Sequence, residues 1–210
     1  MSDFTPSQFA QAARQIVEAG RDFAQRGWTP ATSSNFSMRL SATRIAVTVS
    51  GRDKGQLTAD DVMVCDLEGN AVETAARPSA ETLLHCQIYE RYPNMGAVLH
   101  THSLAQTLAS RLWAANGFVP LAGYELLKAF AGYDTHDAVM QLPVFNNSQD
   151  MRELAQWIAP HLNAQRTAHG YLIDGHGIYT WGKDMLEARR HLDAFEFLLN
   201  CELELRKMQR

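Results

Sequence analysis

Ala97-Val98-Leu99-His100-Thr101-His102-Ser103 is the stretch on which the reading of this chain turns. An apolar run enters, two histidines follow two residues apart, and a small hydroxyl residue closes the segment. On a strand, residues i and i+2 share a face a few ångströms apart, so both imidazoles can grip one ion. On a helix the same pair would point about 200° apart. Imidazole suits zinc and its first-row neighbours. The competing reading is a pair of half-buried strand-end histidines, each bonded to backbone. The pair alone leaves both readings open.

Working outward, the pattern around this segment alternates strands and helices. Thr5-Pro6-Ser7-Gln8 opens a helix with a hydroxyl N-cap, proline at N1 and a glutamine placed for a capping box. Its apolar stripe runs through Phe9, Ala12, Ala13, Ile16, Val17 and Phe23 to a stop at Gly27. Strands are expected at 36–40, 44–49 and 62–67, with Glu68-Gly69-Asn70 as a turn to a short partner. Ser79 caps a helix over 80–92 that Pro93 ends, and the histidine strand follows. Helices are then expected over 104–114 and 124–131, with a strand at 141–145. Ser148 caps a further helix through 157, whose end Pro160 disturbs. Two strands at 171–173 and 178–181 flank Asp174-Gly175-His176-Gly177. Asp184 caps a closing helix with Leu186, Leu192, Phe195, Leu199 and Leu203 on its apolar face. There is no repeat or linker, so the expectation is one α/β domain over 1–210, with helices flanking a sheet.

Composition narrows the function. The 210 residues are 46% hydrophobic and 20% charged, ordinary for a globular domain able to bury a sizeable core. A formal charge of −4 argues against nucleic acid or an anionic membrane as the main partner. No apolar run reaches the length of a membrane span. Met1-Ser2-Asp3-Phe4-Thr5-Pro6 lacks the basic and apolar regions of a secretory signal. Cys65, Cys86 and Cys201 are odd in number and widely spaced, which reads as reduced thiols and a cytoplasmic protein.

A metal reading of His100 and His102 needs a third ligand. His176, between Gly175 and Gly177, is the best placed, because glycines permit unusual backbone angles and close approach. His85 competes, one helical turn after Glu81. His136, His161, His169 and His191 lack partner spacing and read as surface or capping residues. Three histidines with one open position is the ligand count of a catalytic zinc. Ser33-Ser34-Asn35-Phe36-Ser37 and Ser50-Gly51-Arg52-Asp53-Lys54-Gly55 can supply the amides, hydroxyls and cations that a phosphate wants. Neither has the glycine spacing of a P-loop or a dinucleotide fingerprint. Glu81 and Glu125 are the acid–base candidates, although a glutamate opening a helix often serves only the helix dipole.

In chain order, Ser34-Asn35-Phe36-Ser37, Ser50-Gly51, Ser79-Ala80-Glu81, His100-Thr101-His102 and Gly175-His176-Gly177 resemble the class II aldolase family of zinc-dependent sugar-phosphate enzymes. Within that family, Val49-Ser50-Gly51-Arg52-Asp53-Lys54-Gly55, Tyr124-Glu125-Leu126-Leu127-Lys128 and His176-Gly177-Ile178-Tyr179-Thr180-Trp181-Gly182 are most similar to a dehydratase branch. The resemblance implies a single-domain, three-layer α/β fold with a central, largely antiparallel sheet. It implies a homotetramer with active sites near subunit interfaces, and one Zn²⁺ per subunit on His100, His102 and His176. It implies a small phosphorylated sugar as substrate, with Ser34, Asn35, Ser50, Gly51 and Lys54 at the phosphate end. The dehydratase branch puts the proton-transferring base on Glu125 and the aldolase branch puts it on Glu81. The expectation here is Glu125, with Glu81 as a substrate contact. Two departures stand out: Ser34-Asn35 where family aldolases tend to have Gly-Asn, and Ser79-Ala80-Glu81 where they tend to have Ser-Ser-Glu. The rival readings are an aldolase or epimerase of the fuculose- or ribulose-phosphate type, and a non-catalytic module such as the adducin head.

Overall fold

The computed structural model describes residues 3–164 and 168–209. Eight strands form one sheet: β1 (Asn35–Arg39), β2 (Arg44–Thr48), β3 (Val62–Asp66), β4 (Ala97–Thr101), β5 (Phe118–Ala122), β6 (Val139–Phe145), β7 (Gly170–Ile173) and β8 (Gly177–Gly182). Their order is β3-β2-β1-β4-β8-β7-β6-β5, and β6 with β7 makes the parallel pair in an otherwise antiparallel set. Helices α1 (Pro6–Gln25), α3 (Leu104–Trp113) and α5 (Met185–Met208) cover one face, and α2 (Thr82–Arg91) and α4 (Met151–Ala164) cover the other. The result is the expected three-layer arrangement. No helix among the described residues is long and apolar enough to cross a membrane.

The strand period builds the two cores. Ala97 and Leu99 pack with Ile16, Phe23 and Phe195 on the α1/α3/α5 side. Val98 packs with Ile45, Leu84, Ile158 and Tyr179 on the α2/α4 side. His100 follows Val98 at i+2, so it faces the α2 side, where Glu81 ends the approach to that helix. The local signals read from the sequence act as expected at the first helix. Thr5 accepts from Gln8 N (3.2 Å), and Gln8 Oε1 accepts from Thr5 N (2.7 Å). Gly27 takes a φ of 73° just past the helix end.

Several elements differ from the sequence reading. β5 is not among the expected strands, because Pro120 interrupts its alternation of buried Val119 and Leu121. It is the last strand in the order, where a missing N–H is tolerated. Residues 125–129 form a short 3₁₀ turn in place of a longer helix. Asp150 takes the capping position expected of Ser148, accepting from the backbone N–H groups of Arg152 and Glu153. Pro160 lies inside α4 and does not end it. Pro160 and Gln156 both face solvent, so the freed carbonyl is not buried, and Leu162 beyond them is in the core. Leu186 is 79% exposed; Met185, Ala188 and Leu192 supply that turn of the buried face instead.

His191, read as a surface residue, is buried and donates from Nδ1 to Trp181 O (2.7 Å). Burial pulls its conjugate acid down to about 4, and pulls that of the fully buried His85 down to about 3. In the unfolded chain both titrate near 6.5, so below that pH the unfolded state binds more protons than the folded one. Stability is therefore full above pH 6.5 and falls as the pH drops toward 4, by up to about 1.4 kcal/mol per pH unit for each group. Urea midpoints recorded across that window should decline steadily. Level midpoints would contradict the neutral, buried state of these rings.

Candidate metal centre

β4 delivers His100 to the site fully buried. His102 lies one residue beyond the strand, where its backbone N–H donates to Trp28 O (2.8 Å) and Ser103 begins α3 as a capping-box N-cap. Both rings fall on one face, with their Nε2 atoms 2.7 Å apart. His176 arrives from the turn between β7 and β8. Gly175 makes that turn at a φ of 64°, and its N–H donates to Ser110 Oγ (3.0 Å). Thr107 Oγ1 donates to His176 O (3.0 Å), so α3 holds the turn in place. Gly177 is needed for a different reason: a Cβ there would collide with Thr101 O on the adjoining strand. The glycines flanking His176 thus serve backbone conformation and strand packing.

Glu81 completes the group. It stands at the N-cap of α2 but makes no side-chain cap bond. Its carboxylate lies 3.0 Å from His176 Nε2 and 3.3 Å from His100 Nε2, and it accepts from Asn35 Nδ2 (2.6 Å). One donor atom from each of Glu81, His100, His102 and His176 falls within 4.8 Å of the others. His85 is not among them, because both of its nitrogens are engaged by Asn35 and Ser37.

The chemistry of this donor set fits a divalent transition metal. His100 donates Nδ1–H to Ile178 O (2.9 Å), which fixes the tautomer and leaves the Nε2 lone pair toward the cluster. His176 Nδ1 is buried with no partner among the described residues. Burial pushes His100 down to about 3 and His102 down to about 2, so both stay neutral, the state in which imidazole ligates. Burial alone would raise the Glu81 carboxyl. Hydrogen bonds from His176 and Asn35 act against burial, and the group is held below the ordinary carboxylate range. Three imidazole nitrogens and one carboxylate make a mixed N/O site. Tyr179, which faces His100 across β4 and β8, stacks on its ring at 4.1 Å and 15°. Sequence reading does not single it out.

The serine loops open beside this cluster. Ser33, Ser34, Asn35, Ser50, Gly51 and Lys54 line a cavity of about 260 Å³ that Glu81 and His102 also line. Ser34 is held at a φ of 76°, a strained value for a residue other than glycine, and Gly51 takes 74°. The Ser33 and Ser34 hydroxyls are buried with no partner among the described residues. Lys54 is 1% exposed and donates to Thr32 O (3.1 Å) and Arg52 O (2.5 Å). Burial lowers its pKa, with Asp53 and Glu81 acting the other way, and no carboxylate pairs with it among the described residues. Unmatched hydroxyls around a buried cation suit an anion. Asn35 differs from its sequence reading: its side chain is committed to Glu81, Ser79 and His85.

Glu125 is elsewhere on the chain. Its side chain is 70% exposed, pairing with Lys128 (2.7 Å) and His136 (3.5 Å). It lines a separate cavity of about 1220 Å³ with Tyr124, Leu126, Leu186 and Phe197. A single chain does not bring Glu125 together with the three histidines, whereas it does bring Glu81.

Comparison with known proteins identifies the family. A Stenotrophomonas maltophilia (strain R551-3) protein named methylthioribulose-1-phosphate dehydratase is 56% identical over 98% of this chain and 96% of its own length. Among solved structures, YgbL from Klebsiella pneumoniae superposes with a TM-score of 0.80 at 22% identity, covering 94% of this chain and 90% of that one. L-fuculose-1-phosphate aldolase from Thermus thermophilus gives a TM-score of 0.74 at 25% identity over 98% of both chains. The sequence model for the class II aldolase and adducin N-terminal domain matches residues 14–203, and the chain belongs to that family.

Proposed function

We propose that this chain is a hydro-lyase of methionine salvage, dehydrating 5-methylthioribulose 1-phosphate to 2,3-diketo-5-methylthiopentyl 1-phosphate. The reading rests first on its likeness, over nearly the full length of both chains, to a dehydratase of that name. The cavity supports it, because one space joins an anion cradle to a cluster of imidazoles and a carboxylate. In this reading residues 1–210 work as one domain. Three unpaired cysteines accord with work in the cytoplasm.

Ser34, Ser50, Gly51 and Lys54 hold the phosphate and fix the direction in which the sugar enters. His100, His102 and His176 would hold one Zn²⁺, which would supply Lewis-acid stabilisation of charge at the C2 carbonyl. Glu125 takes the proton from C3, the electron pair shifts toward the carbonyl, and Glu125 returns that proton to the C4 hydroxyl, which leaves as water. The enol so formed shifts its C3 hydroxyl proton to C4 to give the diketone. Glu81, ionised beside the imidazoles, bounds the sugar side of the cavity. Because Glu125 is exposed, its base role goes with a homotetramer whose sites lie at subunit boundaries. Exposed Leu126, Leu186 and Phe197 around Glu125, and Leu104, Leu108 and Leu112 spaced four apart on α3, are apolar surface of the kind subunits cover.

The test is product mass. Zinc-loaded protein should convert the substrate to a species lighter by one water. Activity should be lost on chelation and regained on adding zinc. Cleavage into two carbon fragments would instead mark an aldolase, and unchanged substrate would overturn the proposal.

A further inference from the structure

We propose that His85 is a positioning residue: through Asn35 it sets which way the Glu81 carboxylate is held at the metal centre. The proposal rests on the three-histidine metal site of the reading above, beside which the Glu81 carboxylate stands.

The geometry comes from two periodicities. Glu81, His85 and Tyr89 are four apart at the start of and along α2, so they stack on one side. Asn35 and Ser37 are two apart on β1, so they share a face, and Asn35 lies opposite His100 in the strand register. The two rows mesh. Asn35 Nδ2 donates to Glu81 Oε2 (2.6 Å), Asn35 Oδ1 meets His85 Nε2, His85 Nδ1 meets Ser37 Oγ (2.7 Å), and Ser37 Oγ meets Tyr89 OH (3.0 Å). Asn35 is 3% exposed, and Ser37 and His85 are fully buried.

One charge gives every bond in this row its direction. An ionised carboxylate only accepts, so Asn35 must turn its NH₂ toward Glu81 and its carbonyl oxygen toward His85. That oxygen accepts, so His85 must carry its proton on Nε2. Its Nδ1 then has a lone pair and accepts a hydrogen bond from the Ser37 hydroxyl, which leaves the Ser37 oxygen to accept from Tyr89. Burial keeps His85 neutral, so the ring has one proton to place and one place for it. The converse carries the function. If His85 lost its donor, the Asn35 amide could flip and present oxygen to the carboxylate, turning an attraction into a repulsion beside the ligands. The edge of the His85 ring also meets Tyr179 (5.5 Å), the ring stacked on His100, so the same residue braces a second side of the centre.

The experiment uses the full chain and zinc alone, with no substrate. Side-chain ¹⁵N spectra of the chelator-stripped protein should show His85 as the Nε2–H tautomer at neutral pH. Zinc affinity, measured by competition with a chromophoric chelator, should fall about 10- to 100-fold in His85→Leu, the range for lost outer-shell partners. It should return to within a few-fold in His85→Gln, whose amide nitrogen can stand near the Nε2 position. An Nδ1–H tautomer overturns the proposal whether or not the leucine variant folds. Unchanged affinity in folded His85→Leu overturns it, as does a glutamine variant as weak as the leucine one. Absence of dehydratase activity would sink the functional reading while leaving these measurements to stand or fall alone.

Discussion

Alanine at His100 is expected to weaken zinc binding by about 100- to 1,000-fold and to abolish turnover. Apparent binding free energies of four-ligand zinc sites run to about 10–16 kcal/mol, roughly 2.5–4 kcal/mol per ligand. At about 1.4 kcal/mol per decade that is two to three powers of ten. His100 belongs at the upper end. It is fully buried, its Nδ1–H is already spent on Ile178 O, and Tyr179 clamps its ring, so little freedom is lost when it ligates. The same burial means that truncation leaves a cavity, and the metal-free variant should also unfold at lower temperature. Calorimetric zinc titration on protein shown to be folded separates the two effects. Wild-type zinc affinity in the folded variant would remove His100 from the ligand set.

The second large effect concerns Glu125. Glu125→Gln should keep its zinc and its affinity for zinc, and should lose about 10²- to 10⁴-fold in turnover, the usual contribution of a positioned base. Since Glu125 and the histidine cluster line different cavities of one chain, the base and the metal it works beside should come from different subunits. Co-expressing Glu125→Gln chains with His100→Ala chains should therefore regain activity that neither has alone. A mixed subunit boundary pairs an intact base with an intact metal site. Failure to complement would remove the cross-subunit arrangement. Near-normal turnover in Glu125→Gln alone would move proton transfer to Glu81.

Much of the fold is legible because its signals are local. The Thr5/Gln8 capping box, the Gly27 stop and the alternation through 97–101 each act within a few residues. What escapes depends on distant partners. Pro120 hides a strand because only its place at the sheet edge makes proline acceptable there. Pro160 looks like a helix end because Leu162 and its core contacts lie beyond it. His191 looks superficial because the Trp181 carbonyl it bonds comes from another element.

The candidate site divides in the same way. Strand period puts His100 and His102 on one face, and the glycines flanking His176 mark it as a candidate third member. Neither signal alone decides between ligand and ordinary histidine. Glu81 reads as a substrate contact because a glutamate at a helix start has an ordinary explanation. Its lack of any cap bond is visible only in three dimensions, as is the turn of its carboxylate toward imidazoles. The spacing of Glu81, His85 and Tyr89 is present in the sequence. It carries meaning only once Asn35 and Ser37 are known to lie against it.

The antiparallel junction of β4 with β8 has a consequence for how the molecule comes into being. His102 and His176 meet there only after a long stretch of chain has been looped out and returned, a closure that is slow compared with forming any helix. A growing polypeptide carries His100 and His102 long before it carries His176, so during synthesis it offers at most a weak, two-pronged grip on an ion. The complete grip arrives only when the middle of the sheet has closed. In the proposed reading, metal capture would therefore mark the end of folding for this chain and would not seed it.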